Sequence, residues 1–454
     1  MSELEKESKP LRPVYWGDRA VTLYAGEFEV DYGAGRGPIE VRGAIRLTWD
    51  PTPRVGWSGS TDDPGDAIAM FDHSQSFTGW PTVSVAAATS ALPPIPARRG
   101  ARTVIDPPGR GSDGGPCERL KFGTDNQVVD RVVFNVINGP DVLFRGLLRD
   151  RSNVWRGRCV LESPSWRVTL DSGPRLHQRV AELAESRRYA FTHVGVLEHP
   201  GGDAFTPIAA DAALDELFLF LTFVRGATVG IALPTGFLKS RRVWTKWSSG
   251  LSAPYTGHFS WADPQRVSDV ATLWPLLLAS RSDHRWSQAL LRSIRYYAEA
   301  LPARSAEVSV IVAQAGLELL ATAILVDRDR RFSETKWESK PAAWRLRKLL
   351  QSASIQLDLP AKAHALRAAA RVHGWHDVAD AIAAMRNTVT HWSTGKPDLD
   401  IAVWTDAQTV ALSSLELSIL WALGYIGSSF RRTEGPVMRG ASAPVPWVGS
   451  QTTQ

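Results

Sequence analysis

Cysteine is nearly absent: two residues, Cys117 and Cys159, in a chain of 454. Two thiols cannot build a disulfide framework, and reduced cysteines in a cytoplasmic protein are the expectation. There is no Cys-x-x-Cys and no Cys/His cluster at metal-ligand spacing, which argues against a zinc site. No metal or other cofactor is expected. The opening residues MSELEKESKP lack the apolar stretch of a secretory signal. Long apolar runs are also missing. The apolar window Val410 to Ile426 holds Glu416 and three serines, so it is expected to be a buried bundle helix and not a membrane span. A Gly-x-Ser-x-Gly elbow is absent, which leaves Asp72-His73 and the Asp377/His376 pair without a hydrolase context. Gly33, Gly35 and Gly37 lack the lysine and following helix of a phosphate loop and are expected to be a turn. No internal repeat is visible.

What is present is ordinary in bulk: 44% hydrophobic and 22% charged residues, as in soluble globular proteins. Fifty-two Lys and Arg against 47 Asp and Glu give a net charge of +5. That sign fits an acidic partner such as RNA. It fits equally an arginine-rich bacterial protein with no nucleic-acid role. The 18 tryptophans are expected to pack a β core, with a base- or sugar-stacking cleft as the alternative.

The chain changes texture along its length. Residues 1–13 are polar and expected to be disordered. From Val14 to about His199, short runs rich in Val, Ile, Thr, Trp and Phe recur between Gly, Pro and Asp, the pattern of a β-sandwich or open barrel. Pro107 to Pro116 (PPGRGSDGGP) is expected to be a long surface loop. The expected divisions are a β-rich domain over 14–205, a mixed α/β extension and connector over 206–280 that closes that domain and leads into the next, a helical bundle over 281–432 and a disordered tail over 433–454. The expected fold class is therefore α+β, with the β-rich part first.

Within the bundle, His284–Leu301 is one predicted helix. Ser305–Asp327 is a second, apolar on nearly every side, which marks a central helix. Ala342–Ala353 is a third, with Arg345, Arg347 and Lys348 on a basic face that could guide RNA phosphates or simply be solvated. Ala361–Val372 and Trp375–Thr390 form a pair broken at Gly374. Asp406–Ser428 is the last, with Thr405 and Gln408 in capping-box spacing.

The residues with the clearest chemistry close the helix before that last one. Trp375, Val378, Ile382, Met385 and Val389 recur at steps of three and four, one apolar stripe. Arg386 lies beside the stripe. Asn387 and His391 are four apart and share a face, so Asn387 can orient the imidazole. His391 sits in the last turn, where the helix dipole favours the protonated form. RNA carries its own nucleophile, the 2′-OH. Cleavage needs a base, an acid and a cation on the phosphate; His supplies the first two and Arg the third. One of each is too few, and a symmetric dimer would supply two. The spacing alone is unspecific: an Arg-x4-His match is expected about once by chance. Arg371 and His376 repeat it, but across Gly374 and without the following Asn. The competing structural reading is that Arg386 and His391 only cap a helix, and Glu318 is expected to pair with a bundle arginine.

With the bundle around it, Arg386-Asn387-Thr388-Val389-Thr390-His391 resembles the Arg-x4–6-His motif of the HEPN superfamily, specifically the ApeA-like HEPN domains of bacterial abortive-infection proteins. Gly316-Leu317-Glu318-Leu319-Leu320 resembles their early core helix. Gly26-Glu27-Phe28 and Gly43-Ala44-Ile45, with Trp49 and Trp57, resemble the β-rich domain that precedes them. The resemblance implies a metal-independent endoribonuclease, dimeric through residues 281–432, acting in antiphage defence. Arg386, Asn387 and His391 would be its catalytic residues. The β-rich region would sense a phage-derived or small-molecule trigger, with no membrane partner. The alternative is a non-catalytic protein whose degenerate bundle dimerises while the β region binds a ligand.

Overall fold

The computed structural model describes residues 7–448 except 18, 32–37, 67, 69, 71–81, 85, 88–89, 92–94, 97–103, 107–109, 117–119, 142–143, 152, 282–283, 391–398, 436–437 and 439. Among the described residues the fold is α+β: two antiparallel sheets followed by a helical region.

The smaller sheet contains β1 (Val21–Asp31), β2 (Ile39–Thr48), β3 (Arg54–Thr61), β4 (Thr82–Ser84), β7 (Ile95–Pro96), β8 (Val104–Asp106) and β9 (Arg110–Pro116), in the order β7-β4-β1-β2-β3-β9-β8. A two-stranded piece, β5 (Ala86–Ala87) and β6 (Ser90–Ala91), stands apart. In β2 the alternation places Ile39, Val41, Ile45 and Leu47 on the buried face, as period-two patterning requires. The expected loop ending at Pro116 is corrected from Arg110 onward. Residues 110–116 pair along β3, with Trp57 opposite Gly115. The open backbone edge of β3 outweighs the entropic cost of ordering glycine there.

The larger sheet contains β10 (Leu120–Phe122), β11 (Arg131–Ile137), β12 (Gly146–Asp150), β13 (Asn153–Glu162), β14 (Arg167–Ser172), β15 (Phe191–Glu198), β16 (Gly230–Leu238) and β17 (Arg241–Trp247). Its order is β10-β17-β16-β11-β15-β14-β13-β12. β11 is buried along nearly its whole length because both faces are covered. Ile137, with Phe191, Ala232 and Trp247, packs against Phe28, Val41 and Trp57 of the smaller sheet. Val132, Phe134 and Val136 pack on the helical side. The boundary expected at 205/206 does not part the sheet: β16 and β17 sit inside it, hydrogen-bonded through β16 to β11, so the extension expected from 206 completes the β-rich part.

The N-terminal segment is also more ordered than expected from Glu7 on. The Ser8 N–H donates to the Leu147 carbonyl at 3.0 Å and the Arg149 N–H to the Ser8 carbonyl at 2.9 Å. The Leu11 N–H reaches the Asp171 carboxylate at 2.7 Å.

The helices are α1 (Leu176–Ser186), α2 (Pro207–Arg225), α3 (Val267–Ser280), α4 (His284–Ala300), α5 (Ala306–Thr322), α6 (Glu334–Glu338), α7 (Ala342–Ser352), α8 (His364–His373), α9 (Val378–Thr390) and α10 (Ile401–Ala422). α2 opens on the Thr206 cap with Pro207 in its first turn, where proline's missing N–H costs nothing. It lies on the larger sheet and also packs against α4. α5 is central, touching α4, α7, α9 and α10. Gly316 lets α10 come close, since a Cβ there would meet Leu415 at 3.0 Å. With the π-helical turn Ala323–Arg328, α5 forms the one helical run among the described residues long and apolar enough to cross a membrane; its mean hydropathy is 2.0. Here that apolarity is spent on the surrounding helices. α10 begins a turn earlier than Thr405 indicated, capped by Asp400, whose carboxylate accepts from the Ala402 N–H at 2.9 Å.

The tail expected to be disordered from 433 is corrected as well. β18 (Ser428–Phe430) pairs with β19 (Ser442–Pro444). Val445 and Trp447 are buried, and the Trp447 indole N–H donates to the Tyr425 carbonyl at 2.7 Å. Arg432, at the start of this segment, is held by Glu416 of α10 at 2.7 and 2.8 Å. The Tyr297 hydroxyl of α4 donates to the same carboxylate at 2.5 Å.

Cys159 and His193 are among the buried groups with shifted titration. Burial pushes the Cys159 thiol up to about 12, so it stays an inert core thiol; Cys117 lies outside the described residues. Burial pushes His193, on β15, down to about 3 from 6.5. Its ring is 2% exposed, bonded through Nδ1 to Thr192 at 2.9 Å and stacked on Phe144. The unfolded chain therefore binds a proton below pH 6.5 that the folded chain refuses. His193 thus contributes no penalty above that pH and costs stability as pH falls from 6.5 toward 3, by about 1.4 kcal/mol per pH unit. A His193→Asn variant is expected to show a shallower acid-side loss of urea-unfolding free energy than the wild type. Parallel slopes would mean the ring protonates in the folded state.

Candidate functional site

α9 is built as its stripe demands, with exceptions at both ends. Val378, Ile382 and Met385 are buried. Trp375 falls outside the helix, against His373 with ring centroids 5.3 Å apart. Val389 is 45% exposed. Gly374 closes α8 in the left-handed region at φ 71, where glycine pays no Cβ penalty. Arg371 and His376 therefore lie on different sides of a helix end.

Arg386 is half-buried near the end of α9. Its Nη1 donates to the Asn387 side-chain carbonyl at 3.3 Å, and no carboxylate partner is found for it among the described residues. Thr388 and Thr390 turn their hydroxyls back onto the Ala384 and Arg386 carbonyls, both at 3.0 Å, which satisfies the last turn locally. His391 lies outside the described residues, as do Asp72-His73 and the Gly33–Gly37 turn. Asn387 is thus placed against Arg386; its expected role toward His391 is not on view.

The three residues of the expected basic face have different surroundings. Arg347 bridges two carboxylates at the start of α9: Asp377 at 2.5 and 3.0 Å and Asp380 at 2.6 Å. These bonds raise the Arg347 guanidinium further above its ordinary value. Burial alone would raise Asp377, but the bonds from Arg347 and from the Asp380 N–H hold its carboxyl below the usual range. Arg347 is therefore a clamp between α7 and α9 and not a cation open to phosphate. Arg345 lies 3.8 Å from Glu318 of α5, the arginine partner expected for that glutamate, and Gln314 donates to Glu318 at 2.8 Å. Lys348 stays on the surface, 5.7 Å from the Trp344 ring, which Lys340 approaches from 5.9 Å.

One site had no local sequence signal. A cleft of about 1170 Å³ opens where the smaller sheet, the larger sheet, α2 and α4 meet. Lys246 pairs with Asp211 and Arg281 with Glu216 in its walls, each at 2.9 Å. Its lining comes from segments far apart in sequence, so no spacing pattern reveals it.

Comparison with known proteins matches two stretches of the chain. Residues 124–258 match the family described as the YopA central domain. Residues 283–442 match the YopA C-terminal domain. The first stretch holds β11–β17 with α1 and α2; the second runs from the bundle to the β18–β19 hairpin. Over 438 residues the chain is 24% identical to the SPbeta prophage-derived uncharacterized protein YopA of Bacillus subtilis (strain 168), covering 94% of this chain and 95% of that one. No solved structure matches the chain.

The different surroundings of the basic residues separate their effects on stability. Arg347→Ala leaves two carboxylates facing each other and is expected to cost about 1–3 kcal/mol, read by urea denaturation. Lys348→Ala should stay within about 0.5 kcal/mol. Equal small effects would show that the clamp is not formed in solution.

Proposed function

We propose that residues 281–432 form a HEPN-type bundle and that the protein is a metal-independent endoribonuclease working as a homodimer. The observation that supports this most is the state of Arg386. Arg345 and Arg347 face carboxylates, whereas Arg386 stands near the end of α9 with only its neighbour Asn387 as a hydrogen-bond partner among the described residues. A guanidinium in that state is available to a phosphate.

In this reading His391 removes the proton from the ribose 2′-OH. The 2′-oxygen attacks phosphorus, the bond to the 5′-oxygen breaks, and an imidazolium returns a proton to that oxygen. The products are a 2′,3′-cyclic phosphate and a 5′-hydroxyl end. Arg386 stabilises the charge that builds on the phosphate, Asn387 orients the imidazole, and the partner subunit supplies the second His/Arg pair. Lys348 would lead the RNA backbone toward the site. In this reading the protein acts in phage defence, within the cytoplasm, with the sheets sensing a trigger.

A second reading is a non-catalytic dimer that binds a ligand through its β region; the large cleft beside α4 favours it. Incubating total RNA with wild type, Arg386→Ala, His391→Ala and Arg371→Ala in EDTA separates the two. The wild type and Arg371→Ala should cleave alike, and the first two variants should be slower by about 10²-fold or more. Equal behaviour of all four proteins leaves the non-catalytic reading. Loss of cleavage in Arg371→Ala alone moves the site to the other pair.

A further inference from the structure

The cleft at the sheet–bundle junction has the makings of a ligand site that is separate from Arg386. Its volume, about 1170 Å³, is somewhat above the usual range of small-molecule sites, so there is room for a ligand and water. It lies where four parts of the fold converge, a common position for such sites. Much of its wall is apolar: Val55, Leu214, Phe218, Leu219, Ile231 and Leu291. At its edge Leu251 is 74% exposed, a large apolar side chain left in water that a bound molecule would cover.

The charges in the wall are unevenly matched. Lys246 and Asp211 neutralise each other, as do Arg281 and Glu216, and all four side chains are no more than 26% exposed. Asp215 also has a partner. That leaves Arg54, from β3 of the smaller sheet, and Arg295, from α4. Both are exposed, and neither has a carboxylate partner among the described residues. Two guanidiniums from different parts of the fold, above an apolar surface, fit a molecule with an apolar or ring body and two acidic groups. Arginine meets such groups through paired N–H donors.

We propose that this cleft binds a small organic dianion with the chemistry of a nucleotide, held by Arg54 on the sheet side and Arg295 on the bundle side. The site does not depend on the ribonuclease reading, and its test is binding alone. Isothermal titration of the full chain with ADP, inorganic pyrophosphate and adenosine distinguishes the contributions of charge and ring. ADP should bind most tightly, pyrophosphate more weakly, and adenosine weaker than ADP by about tenfold or more. Arg54→Glu and Arg295→Glu should each weaken ADP by about tenfold or more, with the thermal midpoint of the unliganded protein unchanged. Pyrophosphate binding as tightly as ADP would overturn the requirement for a ring. No binding of either anion at millimolar concentration, or ADP binding untouched by both variants, would overturn the site.

Discussion

A sheet covered on both faces cannot expose its middle strand to water, and much of this structure follows from that constraint on β11. Every backbone group of a buried strand must be paired inside the fold. β15 and β16 do this from either side. Covering the faces then recruits the rest of the chain. The smaller sheet closes one face through Phe28, Val41 and Trp57. α2 closes the other and carries the bundle with it, because one apolar core runs from Val132 through Phe220 to Leu317. The bundle consequently has no core of its own to separate it from the sheet. The two family matches meet between residues 258 and 283, yet packing crosses that junction.

The C-terminal segment is fastened by charge as well as by apolar packing. Glu416 is 2% exposed in the middle of α10. A carboxylate there is tolerated only because Arg432 and Tyr297 supply donors. Leaving either charge alone in that environment would be far more costly than the pair is favourable. Arg432 also donates to the Phe259 carbonyl. The network thus ties α4, α10, the loop after β17 and the start of the terminal hairpin at one point. This accounts for a Pro/Gly/Ser-rich tail that is nonetheless docked.

Much of the helical half was legible because its periodicities are local. α4, α5, α7 and α9 lie within a few residues of their expected bounds. The errors concern relations between distant segments. β16 lies in the stretch expected to be mixed α/β, and nothing near it says that its neighbour is β11, about a hundred residues earlier. The glycine run of β9 reads as a loop because its strand character comes from the edge of β3 and not from its own side chains. The same limit applies to the sites. Arg386 and Asn387 could be read together because they lie on one helix. Arg347 read as a surface cation because its carboxylates, Asp377 and Asp380, are some thirty residues away. The cleft has no contiguous stretch to read.

The continuous core bears on how the two proposed sites could communicate. Leu291 and Arg295 of the cleft belong to α4, which packs on α5, and α5 packs on α9, the helix bearing Arg386. One helix therefore separates the cleft wall from the proposed phosphate contact. Close-packed interiors carry displacements across such distances with little loss. Contact by itself makes no switch, however. A ligand shifts the state of α9 only if α4 has two arrangements that bind the ligand differently. The sheet side of the cleft is anchored by strand pairing, whereas α4 is held by side-chain packing and by Arg281, which bridges to Glu216 of α2 and donates to the Ser287 carbonyl. If the junction has a second arrangement, α4 is the wall with fewer bonds to break in reaching it.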